Sequence, residues 1–546
     1  MEYHNQLEYR NAFFAQMVKP SNFPKIEYSS SNRIAVNVWR NIGVEHVFSI
    51  VANYVELYGF EPSFNFSFYD STIDLRRHKT AALEIIYQEV NENNKGVFLD
   101  LIKSKIKELN VLGAQSVGVV LQINEEIEEV FDLDSLKIEF SLQTVLIVSK
   151  KNQDSSSKFS DHRLLDLTGN WLSSMVSYRT AREIACCLLL PYLIPEIKVI
   201  AVDLDNTLYH GVLVEDDFES LHQSNCQISL INWIRQQKKR GIITAIVSRN
   251  HESDVTQLLT KSQHLDLNLE DFDFIFASWE PKEKLIAKLL DVTRVGEESV
   301  LFLDDSPAEV AQVKKFHKKI SSVLFADLEE TMRFLEFFPG LQIQRQLGIS
   351  NIDRANDLKQ NEMRMSIFEK FDHRSAFKEL EILLEFEIDN LNLLPRAAEL
   401  ARKTNQFNAN LSRYTESQLE TFLTSGNRFV ITAHLKDKLS ISGVVSLIVG
   451  EFQEEGVILL DEFCISCRAL GRGLESEILF GSLKRLAIFS HFQGKNVIVK
   501  TKVGPRNAPF FEWAAEWGLQ VESDGSIMIP WTDIQNWVSN LESESL

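Results

Sequence analysis

The chain has 546 residues, 44% apolar and 25% charged, with a formal net charge of −20. Such a length exceeds what one core usually serves and predicts roughly two to four domains. The acidity weighs against nucleic acid and anionic membrane surfaces as partners. The five cysteines form no paired metal-type pattern, Cys464 and Cys467 standing as one lone C-x-x-C, and this usage suits a reducing cytoplasm. The polar start MEYHNQLEYRNAFF does not read as a signal peptide, and the longest apolar run, ACCLLLPYLIPEI, reads as too short and too broken by proline to cross a bilayer.

Residues 1–195 read as mixed α/β. RIAVNVW, VGVVLQI and QTVLIVS are short strands rich in branched residues, and KTAALEIIYQEV between them has a helix-like pattern. The serine-rich stretch 149–163 reads as a polar loop. Asp161-His162 within it reads as a solvated pair, because no Gly-Asp-Ser nucleophile block accompanies it. Residues 196–340 alternate strands (KVIAV, IITAIV, DFIFA, SVLFL) with helices (QISLINWIRQQKKRG, SDVTQLLTKSQ, KEKLIAKLLDVTR). That alternation predicts a parallel, doubly wound, Rossmann-like sheet. Residues 341–385 read as a charged helical connector. Residues 386–546 return to α+β, with NRFVITAHLKD, ISGVVSLIVGEF and GVILLDEFCIS as consecutive antiparallel strands.

Each strand of the middle segment runs into a polar residue suited to phosphate chemistry. VIAV leads to Asp203 and Asp205, and ITAIV to Ser248, Arg249 and Asn250. FIFASWEP leads to Lys282, and VLFL to Asp304 and Asp305. The carboxyl ends of parallel strands share one edge, so these residues are expected to converge. Asp203 can attack phosphorus and Asp205 can carry the proton. Asp203 with Asp304 suits a hard Mg²⁺ ion. Ser248, with Arg249 and Asn250 beside it, can hold phosphoryl oxygens, and Lys282 at a helix start can neutralise phosphate and nucleophile. Between Asp205 and the helix near Gln227 there is no room for a sizeable cap domain, so the pocket is expected to be open.

The set Asp-x-Asp-x-Thr, Ser, Lys, Asp-Asp resembles the haloacid dehalogenase (HAD) superfamily. DLDNTLYHGVLVEDD, SRN, SWEPK and LDDSPAE are similar to its FkbH-like branch, subfamily IIIC. The resemblance implies Asp203 as nucleophile and Asp205 as acid/base. It implies Mg²⁺ held by Asp203, the Asp205 backbone carbonyl and Asp304. The branch more often carries Trp-Gly-Gly where Tyr209-His210-Gly211 stands, and Asp-Asp-Asn where Asp304-Asp305-Ser306 stands. His210 is left between a substrate contact and a plain loop residue. The first 195 residues are similar to an SGNH fold without its catalytic set.

In the last segment, CISCRALGRGLESEILF passes from strand to helix through Arg468-x-x-Gly471-x-Gly473. Glycines there let backbone N–H groups approach a phosphate at a helix start. The context resembles the GNAT fold, which implies a seat for the phosphopantetheine of a carrier protein or for coenzyme A. Between Ser466 and Asn507 eight basic residues stand against Glu475 and Glu477, a patch suited to an acidic partner such as an acyl carrier protein.

Together these resemblances imply a cytoplasmic, Mg²⁺-dependent enzyme. It would dephosphorylate a three-carbon acyl donor, 1,3-bisphosphoglycerate, and load the glyceryl unit on an acyl carrier protein. Cys467 or Cys226 could carry the acyl group in transit, or be plain buried thiols. The alternatives are a phosphatase of a small phosphoester, a coenzyme A-dependent acyltransferase and a carrier-binding scaffold.

Overall fold

The computed structural model describes residues 32–536, apart from 70–80, 129–144, 153–157, 343–356, 491–495 and the single positions 82, 113, 115, 217, 263, 326, 425, 467, 471 and 505. The chain forms two compact units. One comprises Met1–Asp291 with Val295–Leu347, and the other Val292–Arg294 with Gly348–Leu546.

The first unit contains two parallel sheets. The N-terminal sheet is built from β1 (Arg33–Arg40), β2 (Glu61–Phe66), β3 (Leu83–Val90), β4 (Ser116–Ile123) and β5 (Val145–Val148), in the order β2-β1-β3-β4-β5. The helix expected within KTAALEIIYQEV is instead β3. Central parallel strands are covered on both faces, so Leu83 to Tyr87 are all buried and show no alternation. Without a period of two, the segment could not be told from a helix by pattern alone. Asp161 pairs with Arg163 at 2.8 Å, as a solvated loop residue does.

The second sheet holds β6 (Val199–Val202), β7 (Ile243–Ser248), β8 (Phe274–Ala277), β9 (Val300–Asp304) and β10 (Ser321–Leu324). Its order is β10-β9-β6-β7-β8, every pair parallel. From β6 the chain winds one way through β7 and β8, then returns to the other side for β9 and β10. The order reverses between β6 and β9, which defines the crevice at their carboxyl ends. Edge strand β10 carries no strong apolar signal, since its first two residues are serines and only Val323 and Leu324 follow within it. The segment closes on itself: Ile197 N donates to Gly340 O at 2.9 Å. A Cβ on Gly340 would lie 3.0 Å from Ile197 and 3.2 Å from the Pro195 carbonyl, so glycine suits this close approach without displacing its neighbours. One apolar cluster runs from Val36 through Tyr54, Leu188, Ile200 and Leu303 to Leu341, so both sheets share a core.

The second unit carries β11 (Leu383–Ile388), β12 (Phe407–Asn408), β13 (Arg428–Lys436), β14 (Ile441–Gln453), β15 (Val457–Ile465), β16 (Asn496–Lys500) and β17 (Ser526–Pro530). The sheet order is β11-β13-β14-β15-β16-β17, antiparallel except where β15 and β16 run parallel. The helix Glu475–Ser490 makes that parallel crossover. β15 pairs with β16 only over Val457–Leu460. Farther on, β12 pairs with Cys464 and Ile465 instead.

Among the described residues no helix is long and apolar enough to cross a membrane.

Candidate active site

Parallel pairing delivers the expected residues to one edge. Asp203 follows β6 directly, and its N–H donates to Leu303 O of β9 at 2.9 Å. This places its carboxylate beside that of Asp304, the last residue of β9. Lys282 opens the helix Lys282–Thr293. Its Nζ lies 2.9 Å from Asp203 Oδ1 and 2.6 Å from Asp304 Oδ2. All three side chains are buried. Burial raises the Asp203 carboxyl, Lys282 pulls it back and Asp304 adds to the rise. Burial likewise raises Asp304. Burial acts to lower the Lys282 ammonium, but the two carboxylates outweigh it and hold it above its ordinary value.

The residues fit a divalent cation. Asp203, Asp304 and Asp305 each offer a carboxylate oxygen, and these oxygens lie within 4.8 Å of one another. Three carboxylates facing one ammonium leave excess negative charge in a buried place, which a hard oxygen-seeking cation offsets. Asp305 was not among the metal ligands expected. Its position directly after Asp304 was the available signal. Thr207 Oγ1 stands 3.5 Å from Asp305 Oδ1.

Asp205 stands apart from that triangle. Its Oδ1 accepts from Tyr209 Oη at 2.6 Å and from Leu213 N at 2.9 Å, and its Oδ2 accepts from Asn250 Nδ2 at 2.8 Å. The local sequence explains the turn that allows this. Asn206 takes the left-handed conformation at φ 55°, which asparagine tolerates. Its Oδ1 accepts from Gly211 N at 3.1 Å. Gly211 sits at φ 115°, and a Cβ there would meet Leu221 at 2.7 Å. Burial pushes the Tyr209 phenol far above its ordinary value and Asp205 adds to the rise, so it stays a neutral donor.

Ser248 ends β7, buried, with Oγ accepting from Asn250 Nδ2 at 3.0 Å. Asn250, expected at phosphate, thus touches Asp205 and Ser248. Arg249 is half-exposed and pairs with Glu309 at 3.2 Å, outside the cluster. His210 is tied by its N–H to the His222 carbonyl at 2.8 Å, and their rings lie 5.1 Å apart. Cys226 stands in the first turn of the helix Asn225–Lys239, half-buried. The segment between Asn250 and β8 is the helix Glu252–Lys261 and a short 3₁₀ turn, Leu269–Asp271, with no cap domain.

The turn in the second unit is built differently from expectation. Cys467 and Gly471 lie outside the described residues. Gly473 has φ 64°, as a left-handed turn requires. Arg468 is buried and donates to Ser442 O at 2.9 Å. Arg472 is also buried, pairing with Asp357 at 3.1 Å and with Asp437 at 3.3 Å, and Arg364 joins the same two carboxylates. Lys500 pairs with Asp461. Three of the eight basic residues are therefore committed internally. The backbone edge of β15 beyond Leu460 is also taken, since Ala409 N donates to Phe463 O at 2.9 Å. Arg468, Arg472 and the β15 edge beyond Leu460 thus already have partners within this unit.

Glu462 holds that arrangement. Its buried carboxylate accepts from the N–H groups of Asn410 (3.3 Å), Ser412 (2.6 Å) and Phe463 (2.9 Å). Burial raises its carboxyl to about 7, against those three donors. Glu462→Gln turns one acceptor oxygen into a donor facing N–H groups. The expected cost is about 1–3 kcal/mol. It is read as faster hydrogen exchange at Asn410 and Ser412; unchanged exchange there sinks the prediction.

The fold is thus a multidomain α/β architecture carrying a carboxylate–lysine cluster at a sheet switch point. No family model matches the chain, and no curated protein matches it. Among solved structures, it is similar to the N-terminal part of protein BF1531 of Bacteroides fragilis, containing a phosphatase domain and complexed with Mg. Identity is 18% and TM-score 0.43, over 62% of this chain and 99% of that one. It is also similar to aminoglycoside acetyltransferase AAC(6')-Ib in complex with coenzyme A, at 12% identity and TM-score 0.22, over 28% of this chain and 98% of that one. A GNAT family acetyltransferase from Elizabethkingia anophelis with acetyl-CoA bound matches at 11% identity and TM-score 0.19, over 26% and 78%.

Proposed function

We propose that the protein is a Mg²⁺-dependent phosphoryl-processing enzyme of HAD type, with Asp203 as nucleophile and Asp205 as proton carrier. The observation that carries this is the separation of two carboxylates one residue apart. Asp203 is buried against Lys282 and Asp304, whereas Asp205 is held by Tyr209, Leu213 and Asn250. Two environments for two carboxylates suit two roles.

An Asp203 oxygen attacks phosphorus and the bond from phosphorus to the leaving oxygen breaks, giving an aspartyl-phosphate. Asp205 gives its proton to the leaving oxygen. In the second step a water oxygen attacks phosphorus, its proton passes to Asp205, and Asp203 is released with inorganic phosphate. Lys282 holds the Asp203 carboxylate oriented and offsets charge on the phosphoryl oxygens. Ser248 accepts from Asn250, which leaves its hydroxyl proton for a phosphoryl oxygen. When bound by Asp203, Asp304 and Asp305, Mg²⁺ supplies charge that offsets the negative transferring group.

The finer reading takes the donor to be 1,3-bisphosphoglycerate and the acceptor to be an acyl carrier protein thiol. It is supported by the likeness of DLDNTLYHGVLVEDD, SWEPK and LDDSPAE to FkbH-like enzymes. A small-phosphoester phosphatase is the second reading. It is favoured by the internal commitment of Arg468, Arg472 and the β15 edge. Intact mass spectrometry of holo acyl carrier protein, incubated with the enzyme, Mg²⁺ and 1,3-bisphosphoglycerate, separates the two. A glyceryl mass increase that vanishes in Asp203→Asn supports loading. Phosphate release with no carrier mass change leaves the phosphatase.

A further inference from the structure

Tyr209 occupies a place that neither role above uses. It is fully buried, four residues after Asp205, and forms an isolated parallel bridge with it. Its hydroxyl makes the shortest of the three contacts to the Asp205 carboxylate, 2.6 Å to Oδ1. Asn250, equally buried, holds the other oxygen, Oδ2, at 2.8 Å. The two side chains come from different strand exits, Tyr209 from the turn after β6 and Asn250 from the turn after β7. A carboxylate gripped at both oxygens from two sides loses its rotation about the Cβ–Cγ bond.

We infer that Tyr209, with Asn250 opposite, is a positioning residue that fixes the Asp205 carboxylate for proton transfer, and that Asn250 serves this grip rather than the phosphate. The inference rests on the phosphoryl-transfer reading of the same site. Two features make a purely structural role insufficient. A core aromatic at this position needs no hydroxyl, yet the hydroxyl points at the carboxylate. Leu213 N already donates to Oδ1 at 2.9 Å, so the oxygen is satisfied without tyrosine, and the second donor adds direction. The same grip explains Ser248. Asn250 Nδ2 spends one hydrogen on Asp205 and the other on Ser248 Oγ, which orients both groups through one amide.

Proton donation matters only where the leaving oxygen needs a proton, and this gives the test. Full-length protein with Mg²⁺ is assayed in single turnover on two probes. p-Nitrophenyl phosphate releases a stable anion, whereas glycerol 2-phosphate releases an alkoxide that must be protonated. Tyr209→Phe is expected to slow glycerol 2-phosphate about tenfold and p-nitrophenyl phosphate less than about threefold, with KM unchanged for both. Asn250→Ala is expected to split the probes in the same direction, and it serves as the measurement if Tyr209→Phe fails to fold. Equal loss on both probes, or no loss on either, overturns the positioning role while leaving Asp203-dependent turnover intact. Wild-type turnover that persists in Asp203→Asn overturns the phosphoryl-transfer reading itself, and the positioning role with it.

Discussion

Asp203→Asn is expected to lower turnover of phosphorylated substrate by about 10⁴-fold or more. The side chain keeps its size, but the amide cannot attack phosphorus to form the aspartyl-phosphate. Folding is expected to survive, because the charged form is the strained one here. Burial raises the Asp203 carboxyl, so removing its charge removes a desolvation cost. Lys282 keeps Asp304 as partner at 2.6 Å. The expected result is therefore an inactive protein with an unchanged or higher Tm. Phosphate release and calorimetry check the two halves separately. Retained turnover removes Asp203 as nucleophile; lost folding shows that its charge is structural.

Lys282→Met is expected to be the most destabilising single change at the site. It leaves Asp203 and Asp304 buried together without their ammonium, and breaking a buried pair in this way costs about 3–5 kcal/mol. Mg²⁺ is expected to restore part of that loss, since a cation among Asp203, Asp304 and Asp305 replaces the missing charge. Lowering the pH is expected to restore part as well. Both carboxyls are raised in the folded protein. The folded state therefore binds more protons than the unfolded chain between the ordinary carboxylate range and the raised folded values. Stability from this term is present below that window and is lost as pH rises through it. Thermal unfolding of the variant with and without Mg²⁺, at acid and neutral pH, reads both effects. A Tm within the wild-type range at neutral pH, or no response to Mg²⁺, refutes this account of the cluster.

The candidate site was largely legible because it sits where strands end. A parallel sheet turns sequence-distant strand exits into neighbours, so Asp203, Ser248, Lys282 and Asp304 could be grouped before their distances were known. Tyr209 was not legible, since a buried aromatic after a strand normally reads as core. Asn250, just after Ser248, resembles a phosphate contact in sequence, yet its partner is a carboxylate 45 residues away in the chain. β3 is hidden in the sequence for a related reason. A strand buried on both faces loses the alternation by which strands are recognised, and only its pairing with β1 and β4 identifies it.

The second unit marks the boundary most sharply. Arg468-x-x-Gly471-x-Gly473 is a local pattern, and locally it describes a glycine-bearing strand-to-helix turn, where Gly473 at φ 64° bears it out. Where the two arginines point is not local. Asp357 lies 115 residues before Arg472, and Ser442 lies 26 residues before Arg468. A buried guanidinium takes whichever acceptors the packing brings within reach, because leaving it unpaired costs several kcal/mol. The sequence by itself determined the strand exits, the turn of Asn206 and Gly211, and the carboxylate types, since these follow from backbone sterics and hydropathy over a few residues. The tertiary structure alone decided which charge meets which. It placed Lys282 between two aspartates, gave Asp205 to Tyr209 and Asn250, and turned Arg468 and Arg472 inward, because partner choice depends on distances that span the fold.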